Sequence, residues 1–375
     1  MKIVIGADIV LDERNQEKFA SGKIEEVIGR KLLQTISDAD LRIFNLEAPL
    51  TDGNDPILKC GPCFKTNPSA VNGFKQLNVD LFCIGNNHIR DYGDRGVTDT
   101  IRLLQENQID YVGGGPDLTS AEKGKIIFSD GVRIGIFACA EHEFSIAGKQ
   151  SAGANPFDPL ESFEAVAQLA KNCDYVLVLY HGGKEYYRYP SPWLRKVCHK
   201  FVRSGASLVI CQHSHCIGAK ENYQQGEIVY GQGNFLMTDE DNEYYKTGLL
   251  TVVLLEESGI QVDYIPICQT ENGVDAASAQ EAVHILEAFE TRSRQILEEG
   301  FVEAEYAKFA DKMLGQYYKV FAGNKLWHKI LWKLWGNRFL KQLHNADCKR
   351  RIYDFILCEA HRELLLEGMK RDTNS

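Results

Sequence analysis

Three histidines carry the strongest chemical signal in this sequence. His181 follows the apolar run Tyr175–Tyr180, and His213 and His215 follow the apolar run Ala206–Cys211. Both runs are too short for a helix and carry β-branched residues, so each reads as a buried strand. Imidazole is then delivered at the C-terminal ends of two neighbouring strands, the edge of an open α/β sheet where ligands bind. Neutral imidazole is the commonest protein ligand for a metal ion, and three such groups at one edge point to a metal centre. His213 and His215 are two residues apart, which in extended backbone turns both to one face.

Carboxylate and amide groups stand at the ends of further predicted strands. Asp8 follows the strand Lys2–Gly6, Glu47 follows Leu41–Asn45, and Asn87 follows Asn78–Ile84. Taken alone, Asp8 is equally a loop aspartate capping a following helix, and Glu47 is an ordinary loop charge. With His181, His213 and His215 they make a set of six. Carboxylate, amide oxygen and imidazole together suit Mn²⁺, Fe²⁺ or Zn²⁺, as one ion or two. His88, beside Asn87, is the candidate catalytic residue, a proton donor or a group that steadies an oxyanion.

The elements that must hold these residues alternate strand and helix. Amphipathic helices are predicted over Lys23–Ser37, Val97–Gln105, Leu160–Lys171 and Trp193–Ser204. Lys125–Phe128 and Val132–Ala138 read as a β-hairpin turned at Ser129-Asp130-Gly131. Glu227–Tyr230, Gly248–Leu255 and Gln261–Pro266 are the last predicted strands. Beyond them the pattern turns helical, which divides the chain into a strand-rich domain, 1–270, and a helical region, 271–375. Within that region Lys325–Leu343 sets Trp327, Leu331, Leu334 and Trp335 against Lys325, Lys329 and Lys333 on another side. Such a helix packs on its own protein, on a second copy as a homo-oligomer, or on a membrane surface. His344, Asp347 and Cys348 read as a junction between helices rather than a ligand set.

Composition narrows the remaining classes. The 375 residues carry a formal charge of −10, which argues against a nucleic-acid binder. No apolar run approaches the length of a membrane-spanning helix. Met1-Lys2 leads directly into Ile3-Val4-Ile5 with no signal-peptide pattern, so cytoplasm is the expected location, with membrane association as its variant. Eleven cysteines scattered through apolar runs fit reduced thiols. Cys60-Gly61-Pro62-Cys63 has the sequence of a thioredoxin site, but no helix start follows it, and it reads as a turn carrying two thiols.

The ordered motifs Asn45-Leu46-Glu47, Asn86-Asn87-His88 with Asp91-Tyr92-Gly93, His181-Gly182-Gly183 with Glu185-Tyr186, His213-Ser214-His215 and Gly233-Asn234-Phe235 resemble those of the CapA family, the capsule and poly-γ-glutamate biosynthesis proteins. The resemblance covers about residues 1–268. That family is similar to the calcineurin-like metallophosphatases, which implies an α/β fold, a four-layer α-β-β-α sandwich of the metallophosphatase type, with a C-terminal helical appendage. It implies that Asn87, His181 and His213 belong to one metal, that His215 and Asp8 belong to another, and that Glu47 stands at the bridging position. His88 matches the histidine that assists the leaving group. Val10 stands where the phosphatase pattern has a histidine, so one tight site and a weaker one near Asp8 and His215 are expected. The implied function is a metal-dependent hydrolase, cleaving a phosphoester or a γ-glutamyl amide in capsule or exopolymer metabolism. Its substrate would be an anionic polymer or a phosphorylated compound. The alternative is a non-catalytic subunit of a polymer-synthesis complex with a vestigial site.

Overall fold

The computed structural model describes residues 1–237, 241–256, 259–321 and 346–373. Two sheets are built from strands that alternate with helices. In the first sheet the parallel core is β1 (Lys2–Ile9), β2 (Leu41–Leu46), β3 (Leu81–Cys83) and β4 (Asp110–Val112). A two-stranded ribbon, β5 (Gly114–Gly115) with β8 (Gly153–Ala154), lies outside both sheets. The second sheet has the order β11-β12-β10-β9-β7-β6. Its members are β6 (Lys125–Ser129), β7 (Val132–Ala140), β9 (Tyr175–His181), β10 (Leu208–Gln212), β11 (Lys220–Tyr223) and β12 (Gly226–Val229). Here β7, β9, β10 and β12 run parallel, while β6 and β11 are antiparallel edges. The first sheet is completed by β13 (Asn234–Leu236), which pairs with β1, and by β14 (Thr247–Glu256), β15 (Gly259–Gln269) and β16 (Val274–Ala276).

Side-chain alternation sorts each central strand into two buried faces, as parallel strands covered on both sides require. Ile3 and Ile5 of β1, Leu177 and Leu179 of β9, and Leu208 and Ile210 of β10 meet in one cluster between the sheets. Val4 and Ile9 turn outward to Leu32 and Ile36 of α2 (Arg30–Ser37) and Val97 and Leu104 of α4 (Gly93–Glu106). Val176, Val178 and Val209 turn outward to Val166 of α6 (Ser162–Asn172) and to Val197 and Phe201 of α7 (Pro192–Arg203). The order is therefore helix, sheet, sheet, helix, the four-layer sandwich that the family resemblance implies. Each fully buried aliphatic side chain contributes about 1.5–3 kcal/mol, so the layering is dictated by the period-2 pattern of the strands.

Several elements differ from expectation. The helix predicted over Lys23–Ser37 is broken: a short 3-10 turn, Ile24–Glu26, precedes α2, because Ile28 bridges to Val274 and Gly29 donates its N–H to Val274. That bridging segment belongs to β16, an edge strand lying past the predicted end of the strands. Helix α8 (Ala279–Gln295) starts with a capping box from Ser278 and Glu281 and sets Phe289 against Tyr264 of β15, ring centroids 5.0 Å apart. It thus belongs to a compact unit that runs from Met1 to Val302, not to residue 270, and a second unit spans Glu303–Ser375. The second unit contains most of α9 (Phe301–Phe321) and the helices Ala346–Leu357 and Glu359–Thr373. The stretch Lys325–Leu343, with His344, lies outside the described residues. Among the described residues no helix is long and apolar enough to cross a membrane.

Candidate metal centre

The C-terminal ends of the parallel strands in both sheets supply the site. β1 brings Asp8, β2 brings Asn45 and then Glu47, the segment after β3 brings Asn86, Asn87 and His88, β9 ends on His181, and the turn after β10 brings His213 and His215. Asp8 and His181 are inside their strands rather than after them, since β1 continues by pairing Asp8 with Asn45 and Asn234. Gly6 makes that continuation feasible. A Cβ there would meet the Phe44 ring at 2.2 Å, and the β1–β2 register shifts between Ile5 and Asp8.

His213 and His215 share the site by a different route from the extended backbone expected of them. β10 ends at Gln212, and His213 and His215 have φ of 84° and 52°. Left-handed backbone at a non-glycine residue costs about 1–3 kcal/mol and persists where the surroundings over-determine it. Here the His213 N–H donates to Asp8 Oδ2 at 3.3 Å, and His215 Nδ1 meets Asn234 Oδ1 at 2.9 Å and Asp8 Oδ2 at 3.5 Å.

All six predicted ligand residues are buried and gathered. Nε2 of His181 is 3.0 Å from Asn87 Oδ1 and 3.3 Å from Glu47 Oε1. Its Nδ1 is 3.4 Å from the Asn45 amide, which also donates to Asp8 Oδ1 at 2.7 Å. Glu47, His213 and His215 each offer a ligand atom within 4.8 Å of the others. His181 and His213 have ring centroids 4.9 Å apart.

Burial sets the protonation of this group. It pushes the Asp8 carboxyl up, yet the hydrogen bond with His215 and the charges of His181 and His215 outweigh it and hold Asp8 at about 2. Burial, reinforced by the Asp8 charge, drives Glu47 well above the usual carboxylate range. Burial lowers His181 to about 4 against the pull of Asp8, and drives His213 well below the usual imidazole range with the help of the neighbouring imidazoles. For His215 burial is outweighed by Glu47 and Asp8, which lift it to about 9. His181 and His213 are therefore neutral at pH 7, the form that ligates.

The donor set fits a divalent cation. Both oxygens of Glu47 and Nδ1 of His213 are buried without a hydrogen-bond partner among the described residues. The 3.3 Å approach of His181 to Glu47 is close but falls outside hydrogen-bonding alignment. Leaving such groups unpaired costs about 1–3 kcal/mol each, a cost that a bound ion removes. Glu47, Asn87, His181 and His213 would hold it, with the Asp8–His215 pair beside them.

His88 lies at the rim of this group. Its Nδ1 is 2.6 Å from Asp91 Oδ2 and 3.1 Å from Lys59 Nζ. The carboxylate can only accept and the contact is the shorter, so Nδ1–H donates to Asp91 and leaves Nε2 for the site. Lys59 also pairs with Asp91, which accepts the Phe64 N–H at 2.7 Å as well. Burial lowers the His88 pKa, with Asp91 opposing it.

Three groups went unrecognised in the sequence. Asn45 and Asn234 lie within the Asn-Leu-Glu and Gly-Asn-Phe motifs, and they orient Asp8 and His215. Glu143, after β7, reaches Asn87 Nδ2 at 3.4 Å and His213 Nε2 at 3.6 Å. Carboxylates just past a predicted strand end, Glu141 and Glu143, were the available signal. Val10 is buried with Ala48, Met237 and Tyr245. The Cys60–Cys63 thiols are unbonded and sit in irregular backbone, and burial raises the Cys63 thiol, the reverse of what redox chemistry needs.

Comparison with known proteins places the chain. It is similar to the capsule biosynthesis protein CapA of Bacillus anthracis, 29% identical over 204 residues, covering 52% of this chain and 49% of that protein. It is 31% identical over 176 residues to the PGA biosynthesis protein CapA of Bacillus subtilis, 46% of each. The chain thus spans about half the length of these relatives. Among solved structures it is similar in arrangement to a putative 5′-nucleotidase from Staphylococcus aureus, with 14% identity, a TM-score of 0.42, and coverage of 78% of this chain and 58% of that one. The model of the bacterial capsule synthesis protein family PGA_cap matches residues 2–239, and the chain belongs to that family.

Proposed function

We propose that this protein is a metal-dependent hydrolase acting in capsule or exopolymer metabolism on a phosphoester or a γ-glutamyl amide. One observation carries the reading: Glu47 is buried beside the Asp8 carboxylate, facing His181, His213 and His215, and neither of its oxygens accepts a hydrogen bond from a described residue. A purely structural carboxyl would be hydrogen-bonded at that depth. Glu47, Asn87, His181 and His213 would hold a divalent ion there, which would supply Lewis acidity and hydroxide near neutral pH. The chain's own residues supply the rest. His181 and His213 stay neutral, Asn87 is held by Glu143 with its oxygen toward His181, and His88 keeps Nε2 directed by the Asp91 bond at Nδ1. His88 Nε2 gives a proton to the leaving group, and Asp91 stabilises the imidazolium that donates it, against the opposing charge of Lys59. The names of the relatives support the association with capsule and PGA synthesis.

A second reading, a non-catalytic component of polymer synthesis, is favoured by Val10, which packs in an apolar cluster at the position where the phosphatase pattern has a ligand. Metal analysis of the purified chain, followed by a screen of phosphomonoesters, phosphodiesters and γ-glutamyl peptides on metal-loaded protein, separates the two. Tight metal binding with turnover supports the hydrolase; a chain that takes up no ion refutes it.

A further inference from the structure

A cavity of about 580 Å³ opens beside the centre, a size typical of small-molecule sites. Phe64, Tyr92, Tyr186 and Tyr245 supply aromatic walls, and Val10 and Met237 supply aliphatic ones. Two of these walls touch the histidines of the site. The Phe64 ring lies 4.5 Å from that of His88, and the Tyr245 ring is stacked on His215 at 5.1 Å. The cavity therefore borders His88 and His215 through these two rings.

The lining carries few charges. Lys65 is the one cation among the described lining residues. Its Nζ donates to Gly53 O at 2.7 Å and Asn54 Oδ1 at 3.1 Å, and it lies 5.0 Å from the Tyr92 ring centroid. Asp12 is paired with Arg14. A polymer bearing a carboxylate on every residue meets one cation among the described lining residues. Instead the lining offers ring faces and the hydroxyl pair of Tyr186 and Tyr245, whose oxygens are 3.3 Å apart. Ring faces attract flat or ring-shaped groups, and hydroxyls pair with the polar edges of such groups.

We infer that this cavity is the leaving-group subsite, and that it takes an uncharged ring, aryl or glycosyl, joined to the group that reacts at the centre. The apolar Val10 has a role on this reading: it lines the subsite in place of a ligand. The inference rests on the hydrolase reading for the identity of the centre, and it selects ring-bearing esters over γ-linked glutamate chains.

The test uses the full metal-loaded chain and four probes: 4-nitrophenyl phosphate, glucose 1-phosphate, glycerol 3-phosphate and a γ-glutamyl oligomer. Saturation-transfer NMR reads binding without turnover, and steady-state kinetics reads KM and kcat. Ring protons of the first two probes are expected to saturate, and at least one should bind about tenfold tighter than glycerol 3-phosphate. Comparing those two probes tells an aryl from a glycosyl preference. Val10→Trp, which fills the cavity, should weaken ring ligands more than glycerol 3-phosphate and act on KM rather than kcat. Equal affinity with and without a ring, or a preference for the γ-glutamyl oligomer, overturns the inference, and wild-type protein suffices to see either. Ring binding without hydrolysis of any probe leaves the subsite standing and removes the hydrolase reading.

Discussion

Nε2 of His181 lies 3.0 Å from Oδ1 of Asn87, although the two residues are 94 positions apart in the chain. One ends a strand of the second sheet and the other follows a strand of the first, so this contact ties the two sheets together at the site. Glu47 Oε1, at 3.3 Å from the same nitrogen, joins them. Three donor types from three segments thus converge on one point, and the expectations below depend on that convergence.

Glu47→Gln is expected to leave the metal-free protein within a few degrees of wild type in thermal melts. The carboxyl it replaces accepts no hydrogen bond from a described residue, and the amide N–H of glutamine can keep its contact with Asp8. Wild type should gain about 2.7 kcal/mol of stability at an ion concentration one hundred times its dissociation constant, and the variant should lose most of that gain. Collapse of the metal-free variant would show that Glu47 is structural.

His88→Ala should lower turnover by about 10²–10⁴-fold with metal content unchanged. Asp91 keeps its partners in that variant, since Lys59 and the Phe64 N–H still bind it. Parallel loss of bound metal, measured by elemental analysis, would move His88 from the catalytic role to a structural one.

Calorimetric titration should find one tight ion per chain and a second, weaker one at most. The tight site is that of Glu47, Asn87, His181 and His213. On the other side Val10 lies among Ala48, Met237 and Tyr245 and offers no ligand, while Asp8 and His215 are bound to each other. Two equally tight ions would contradict this assignment.

Glu221 predicts an acid limit to stability. It is buried, which raises its carboxyl, but His199, Arg195 and Tyr230 hydrogen-bond to it and hold it at about 2, below the usual 4.5. Its folded-state value is depressed, so its contribution is fully present above pH 4.5 and is lost as pH falls toward 2. The loss is on the order of 3 kcal/mol. Chemical denaturation of wild type across that window should show the decline. Glu221→Gln should be less stable at pH 7 and should flatten the curve; an identical slope in both would sink the assignment.

The sequence by itself determined the residue types of the site, their order, and the strands that carry them. Those are local properties: an apolar run of six residues with alternating faces reads as a buried strand wherever it falls, and Asp8, Glu47, Asn87, His181, His213 and His215 stood at the ends of such runs. The helix–sheet–sheet–helix layering was implied by the resemblance to the CapA family, and strands apolar on both faces fit it because both faces must be covered. Tertiary structure alone decided the rest. The left-handed turn at His213 and His215 depends on Asp8, 205 residues away from His213, and no local pattern announces it. The same holds for the neutral state of His181, the protonated state of His215 and the unpartnered oxygens of Glu47. Burial and neighbouring charge set these, and both arise only when distant segments pack. Glu143 and Lys59 look like loop charges until Asn87, His213 and Asp91 are brought against them. The cavity beside Val10 likewise has walls from residues 10–12, 62–65, 92, 186, 237 and 245, brought together from distant parts of the chain. Its ring-lined chemistry exists only after the chain has folded.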